Sequence, residues 1–328
     1  GKISSSVITC YWKSMGYVTG FFVIFCVFLM QLSKNVTDGW LAHWVTVETV
    51  TPTNSTEYYL SIYSSLAITN SVLTLIRAFL FAYAGIKAAK IIHDKLLNRV
   101  FYTKFQFFDV TPLGRLLNRF SSDTYTIDDS LPFIFNILLA QLFGLIGSIC
   151  VSLYALPWLG LIVAPLIPIY LEIQSKYRMA SRDIRRISSN ALSPLYAHFT
   201  ETLQGLTTIR AMRSSTRFKQ DFSVKLEESI RAQITASAAS CWLSMRLQLF
   251  GSLIVGGSGF LTAITSAHST TPGMVGLAIS YALSISSLLG GVLNAFTETE
   301  QEMIAVERVG QYLKLPEEPN ADGNNDPP

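Results

Sequence analysis

Apolar and polar positions alternate along this chain in long blocks. A first apolar block, Met15 to Leu32, contains the run GFFVIFCVFLMQL and suffices to cross a bilayer, which takes about 20 apolar residues at about 1.5 Å each. A polar loop, Thr37 to Glu57, is expected to follow. The next helix starts near Tyr58 and meets no breaker until Thr111-Pro112, far more than a bilayer needs. Its later part carries Lys87, Lys90, Asp94, Lys95 and Arg99 among apolar positions at helical spacing. That predicts one continuous helix leaving the membrane and projecting into the cytosol. The pattern recurs: residues 114–155 begin charged and become apolar, 158–205 begin apolar and become basic, and 218–264 begin charged and become apolar. A last span, Gly273 to Phe296, runs on into Glu298, Glu300, Glu302 and Glu307.

These blocks predict an all-α membrane protein of six long transmembrane helices with cytosolic extensions. The outer turns are short, at Leu156-Pro157-Trp158 and Thr265 to Pro272, whereas the inner excursions are two long helical hairpins with tips near 107–114 and 206–217. Residues 1–14 are expected to form an interfacial elbow without a cleavable signal peptide, and 15–312 the membrane domain. Residues 313–328, ending in EEPNADGNNDPP, read as a linker toward a further domain.

Charge orients the spans. The 25 Lys and Arg residues avoid Asn35–Ile76, Phe120–Ser175 and Leu247–Glu307. Basic residues beside spans are retained on the cytoplasmic side, so both termini are expected inside. The sequon at Asn54 then lies outside as a glycosylation candidate, while the one at Asn35 abuts the membrane. The chain is 50% hydrophobic and 14% charged, yet its mean hydropathy of +0.37 is modest for six spans, because much of it lies outside the bilayer. A net charge of +3 with interleaved acids gives no nucleic-acid footprint. Cys10, Cys26, Cys150 and Cys241 have no metal-ligand spacing and avoid the predicted outer loops, so free thiols and no metal site are expected.

Two arginines interrupt apolar helices, Arg77 and Arg246. A central membrane Arg costs about 2.5–3.5 kcal/mol on insertion scales and faces a cavity, a partner or the inner surface by snorkelling. Trp242 shares a helix face with Arg246, and together they offer a stacking plane and a cation to an amphipathic anion. At the first tip, Thr111 is placed to cap a helix with Pro112 at its first position, while Phe107 and Phe108 are apolar anchors for a partner. Arg115, Arg119, Asp123, Asp128 and Asp129 beyond it fit either a solvated salt-bridged face or the transmission of motion.

FFDVTPLGRLLNRFSSD at 107–123 resembles the first intracellular hairpin of ATP-binding-cassette exporters of the C subfamily, the multidrug-resistance-associated proteins. The resemblance continues through SPLYAHFTETLQGLTTIRAM at 193–212, WLSMRLQ at 242–248, PGMVGLAISYALS at 272–284 and AVERVGQYLKLPEEP at 305–319. It covers nearly the whole chain, and segments 128–140 and 280–291 narrow it to one member of the subfamily. It implies the second membrane domain of an exporter. The partners would be a first membrane domain and two nucleotide-binding domains of one polypeptide, a bilayer, and amphipathic small-molecule cargo. The plasma membrane is the expected location, with a vacuolar or lysosomal membrane as the alternative. No GxxxxGK[ST] loop occurs in the sequence, so no cofactor is expected in this segment and Mg-ATP belongs to the full-length transporter.

The resemblance further implies that Phe107, Phe108, Asp109, Pro112 and Leu113, and at the second tip Met212, Arg213 and Phe218, dock on nucleotide-binding domains. Glu307-Arg308 resembles the exit from the last helix. Anion-exporting relatives carry Trp and Arg where this chain has Gly291 and Asn294, and Arg where it has Cys241. The expected cavity, with Arg246, Trp242, Arg77, Asn294 and Gly291, is therefore wide and weakly cationic. A channel or channel regulator is the alternative reading, against which stands the absence of Lys and Arg from the last span.

Overall fold

The computed structural model describes residues 5–50, 56–265, 272–316 and 318; Asn54 lies outside them. Helix α1 (Ser5–Met15) is the short elbow. It ends at Gly16, whose φ of +90° is a left-handed conformation that favours glycine. Helix α2 (Tyr17–Val50) runs through much of the stretch expected to be a loop. No proline interrupts it. The Thr37 and Thr46 hydroxyls donate to carbonyls one turn back, each at 2.8 Å, and Trp40 and Trp44 lie on Tyr59 with ring centroids 5.8 and 6.1 Å apart. Packing against the next helix thus carries α2 past its apolar block.

Helix α3 (Thr56–Phe101) ends at Phe101 rather than at Thr111, and two short helices, α4 (Gln106–Val110) and α5 (Leu113–Asn118), form the first tip. Two π-helical turns, Arg119–Asp123 and Thr126–Ser130, lead into α6 (Leu131–Ala155). Its inward row repeats every four residues (Ile127, Leu131, Phe135, Leu139, Phe143). In an α-helix each such step drifts by about 40°, and the wider π turns, with their i→i+5 bonds, counter that drift at the row's start. Helices α7 (Gly160–Gln204), α8 (Leu206–Ala211), α9 (Ser215–Thr265) and α10 (Pro272–Tyr312) complete the order.

Among the described residues, six helical stretches are long and apolar enough to cross a membrane. Helices α3, α7 and α9 have 46, 45 and 51 residues, or about 70 Å each at 1.5 Å per residue, against a hydrocarbon core of about 30 Å. More than half of each therefore projects beyond the lipid.

The chain divides into two compact units, one joining α1–α6 to α10 and one, Trp158–Gly257, holding α7, α8 and most of α9. The first has a core at its elbow end, where Tyr11 and Met15 of α1 are buried with Phe81 and Leu96 of α3, Ile127, and Val309 of α10. Each such side chain taken from water contributes about 1.5–3 kcal/mol. Burial also raises the Tyr11 phenol well above its ordinary pKa and keeps it neutral.

In the membrane-spanning part, small residues and polar pins replace the hydrophobic effect. A Cβ at Gly85 would stand 2.8 Å from Pro132, and one at Gly147 would stand 2.8 Å from Gln31 Nε2. Tyr281 of α10 donates to Asp38 of α2 (2.7 Å) and its hydroxyl lies 3.1 Å from Asn35 Oδ1, an oxygen that also accepts from Gln31 at 2.9 Å. The Asn35 sequon is thereby held inside a packed helix. Cys26, Cys150 and Cys241 are free thiols.

Candidate functional site

In the first unit, Arg77 lies on α3 one turn from the buried Phe81. It is half-buried, and its Nε and Nη1 are buried without a hydrogen-bond partner among the described residues. The same holds for Oδ1 of Asn70, two turns nearer the α2–α3 turn, and for Oδ1 of Asn136 on α6. Phe81 meets Phe135 at 6.4 Å between centroids. That register sets Arg77 and Asn136 within about one helical turn of each other along the antiparallel axes. Unsatisfied polar atoms in an apolar setting are costly, so this group is suited to a polar or anionic head. Asn294 is exposed. At Gly291 a Cβ would come within 2.9 Å of Gln141, so the position is a close contact between α10 and α6.

In the second unit, Trp242 and Arg246 serve each other. The guanidinium carbon sits 3.8 Å from the Trp242 ring centroid, and Nη1 donates to the Trp242 carbonyl at 3.4 Å. One ring face is thus already covered, a cation–π pair worth about 0.5–1 kcal/mol at an exposed site. Trp242 remains 40% exposed, so part of its ring surface stays accessible. Tyr170 of α7 also buries its hydroxyl without a partner.

The first tip differs from expectation in one anchor. Phe107 turns inward and meets Tyr312 edge-on at 5.8 Å, which sets the first turn of α4 against the end of α10. Phe108, Val110 and Leu113 remain exposed, together with Asp109 and Pro112. Thr111 closes α4, its N–H donating to the Phe107 carbonyl at 3.0 Å, and makes no side-chain cap; α5 begins at Leu113 behind Pro112. At the second tip, α8 ends in Met212, 74% exposed, and Arg213 stands at φ 52°. Phe218 folds back beside the buried His198, with ring centroids 5.7 Å apart. Exposed large apolar groups at the ends of long projections mark contact surfaces.

Sequence reasoning missed Val110 as an anchor, since it lacks the aromatic ring that drew attention to its neighbours. It also missed the pairing of Asp123 with Arg308, at 3.0 Å. The available signal was a lone carboxylate between Phe120 and Ile127 on an otherwise apolar row.

Comparison with known proteins converges on one architecture. Residues 20–289 match the ABC transporter transmembrane region family. The chain is 45% identical over 324 residues to "ABC transporter C family member 13" of Arabidopsis thaliana, covering 97% of this chain and 23% of that protein. It is 37% identical over 364 residues to human "ATP-binding cassette sub-family C member 10", covering 97% and 24%. It is 30% identical over 336 residues to "ABC transporter C family member 8" of Dictyostelium discoideum, covering 97% and 21%. The chain spans about a quarter of the length of the curated relatives it matches.

Proposed function

This chain belongs to the ABC transporter transmembrane region family, and from that premise we propose that it is the membrane-spanning half of an ATP-driven exporter of the C subfamily. The observation that carries the reading is the pair of long helical hairpins whose tips expose Phe108, Val110 and Leu113 on one and Met212 on the other. Such surfaces suit grooves on nucleotide-binding domains, where Mg-ATP would bind and be hydrolysed. Alternating access then follows from swinging the hairpins, and cargo drives the cycle only through different affinities for the two cavity states. Segments 128–140 and 280–291 favour likeness to the seventh multidrug-resistance-associated protein.

The cargo in this reading is a bulky lipophilic or weakly anionic compound. In the first unit Arg77 and Asn136 offer polar contacts for such cargo, and in the second unit Trp242 with Arg246 offers a cation and a stacking face. The termini lie in the cytosol, and the membrane is the plasma membrane, with the vacuolar or lysosomal membrane as second choice. Inside-out vesicles bearing the full-length protein test this. ATP-dependent uptake of unconjugated lipophilic compounds, reduced by Arg246→Ala, is the expected result. A strong preference for glutathione conjugates, indifferent to Arg246→Ala, contradicts the cargo assignment.

A further inference from the structure

We infer that the first tip is latched to the end of the last membrane helix, so that nucleotide-driven motion received by α4 passes to α10 directly. The inference rests on the exporter reading and names its positioning residues, Asp123, Arg308 and Tyr312, with Arg119 in support.

Asp123 sits in the first π-helical turn and is 2% exposed. A buried carboxylate persists only when paired. Its Oδ2 accepts from Arg119 Nη1 of the same turn at 2.5 Å, and its Oδ1 accepts from Arg308 Nη2 of α10 at 3.0 Å. One carboxylate is therefore shared by two guanidinium groups, one from the tip's own arm and one from the exit helix. The Arg119 guanidinium also lies over the Tyr312 ring, 5.7 Å from its centroid. Tyr312 follows Arg308 by one helical turn and so shares its face. The same ring receives the edge of Phe107, and Phe107 in turn meets the exposed Phe108 at 5.5 Å.

A contact path thus runs from Phe108 through Phe107 and Tyr312 to Arg119, Asp123 and Arg308. The strand of chain after α10 closes the assembly. Leu313 and Leu315 pack on the same core as Phe107, Leu116 and Phe120, and the Glu318 N–H donates to the Tyr102 carbonyl at 2.9 Å. Tip, exit helix and following segment are thus tied to one another, while α3 ends at Phe101 just before the tip.

Two features separate this from an ordinary surface ion pair, which contributes little. The carboxylate is buried and accepts from two elements, and the π-helical turn occurs at the position that carries it. Without that turn, Asp123 would rotate away from α10, since one residue corresponds to about 100° of helix.

The full-length protein in nanodiscs provides the test, with spin labels at Asp109→Cys and Lys314→Cys and other reactive cysteines replaced. The latch predicts one interlabel distance, unchanged between nucleotide-free protein and protein trapped with Mg-ATP. A nucleotide-dependent change of about 5 Å, one helical turn, overturns it. Arg308→Gln, made in the same background, is expected to broaden that distance. It should also lower transport per ATP hydrolysed by about tenfold, within the usual range of coupling effects, while basal hydrolysis stays within about twofold. Parallel loss of both activities, or of neither, counts against the latch. Should Arg308→Gln fail to fold, Tyr312→Leu keeps an apolar side chain, removes the ring under Arg119, and faces the same two criteria. Native protein with hydrolysis but no ATP-dependent uptake defeats the exporter reading alone, because the distance measurement judges the latch without cargo.

Discussion

Asp123 is 2% exposed and held by Arg119 and Arg308. Removing one partner of such a group costs about 3–5 kcal/mol when the pair is fully buried. Arg308 is only partly buried, so Arg308→Ala is expected to cost about 2–3 kcal/mol, read as a lower melting temperature of the detergent-solubilised full-length protein. Arg308→Ala combined with Asp123→Leu should be less damaging than the two single costs added, because the orphaned charge disappears. Arg213 makes the opposite prediction. It holds φ 52° at the second tip, a conformation that costs an L-residue about 1 kcal/mol, so Arg213→Gly should raise stability by about that amount in the same assay. Half of this was legible beforehand. Asp123 between Phe120 and Ile127 on an apolar row signals a need for a cation, but no local pattern points to Arg308, which lies far along the chain.

Elements follow a different logic on the two sides of the membrane surface. Near the elbow, α1, α3 and α10 bury large apolar side chains from water. Between the spans, contacts rest on glycine and on shared hydrogen bonds, so volume is decisive there. Gly147→Leu drives a side chain into Gln31 and Asn35 and should cost about 1–3 kcal/mol of overpacking. Gly276→Leu on α10, with nothing within 4 Å, should be tolerated in the same melting assay. Deleting Ser122, exposed in the first π-helical turn, should convert that turn toward α-helix and swing Asp123 off α10, with transport lost before ATP hydrolysis. The apolar blocks located every long helix, because length and hydropathy are local properties. They missed the continuation of α2 to Val50, which depends on Trp40 and Trp44 lying against Tyr59. They also missed the break after Phe101, where no Gly or Pro stands and the turn is decided by Phe107 packing on Tyr312.

At the scale of the whole molecule, helices α3, α7 and α9 are more than twice as long as a bilayer requires, and the inner hairpins end in exposed apolar tips. Basic residues gather on those excursions and avoid the opposite turns, so one pattern of charge fits both the orientation and the drive machinery. Family membership accounts for the architecture, and in the function proposed above the tips convert ATP hydrolysis into movement of cargo. That conversion is tested most directly by measuring hydrolysis and vesicle uptake side by side in the full-length protein and in its Phe108→Ser and Met212→Ser variants, whose exposed side chains contribute little to folding. The account predicts that native vesicles take up amphipathic cargo only with ATP, and that each variant loses uptake by about tenfold while reaching the membrane in normal amount. Uptake that proceeds without ATP, or that survives both substitutions unchanged, would contradict it.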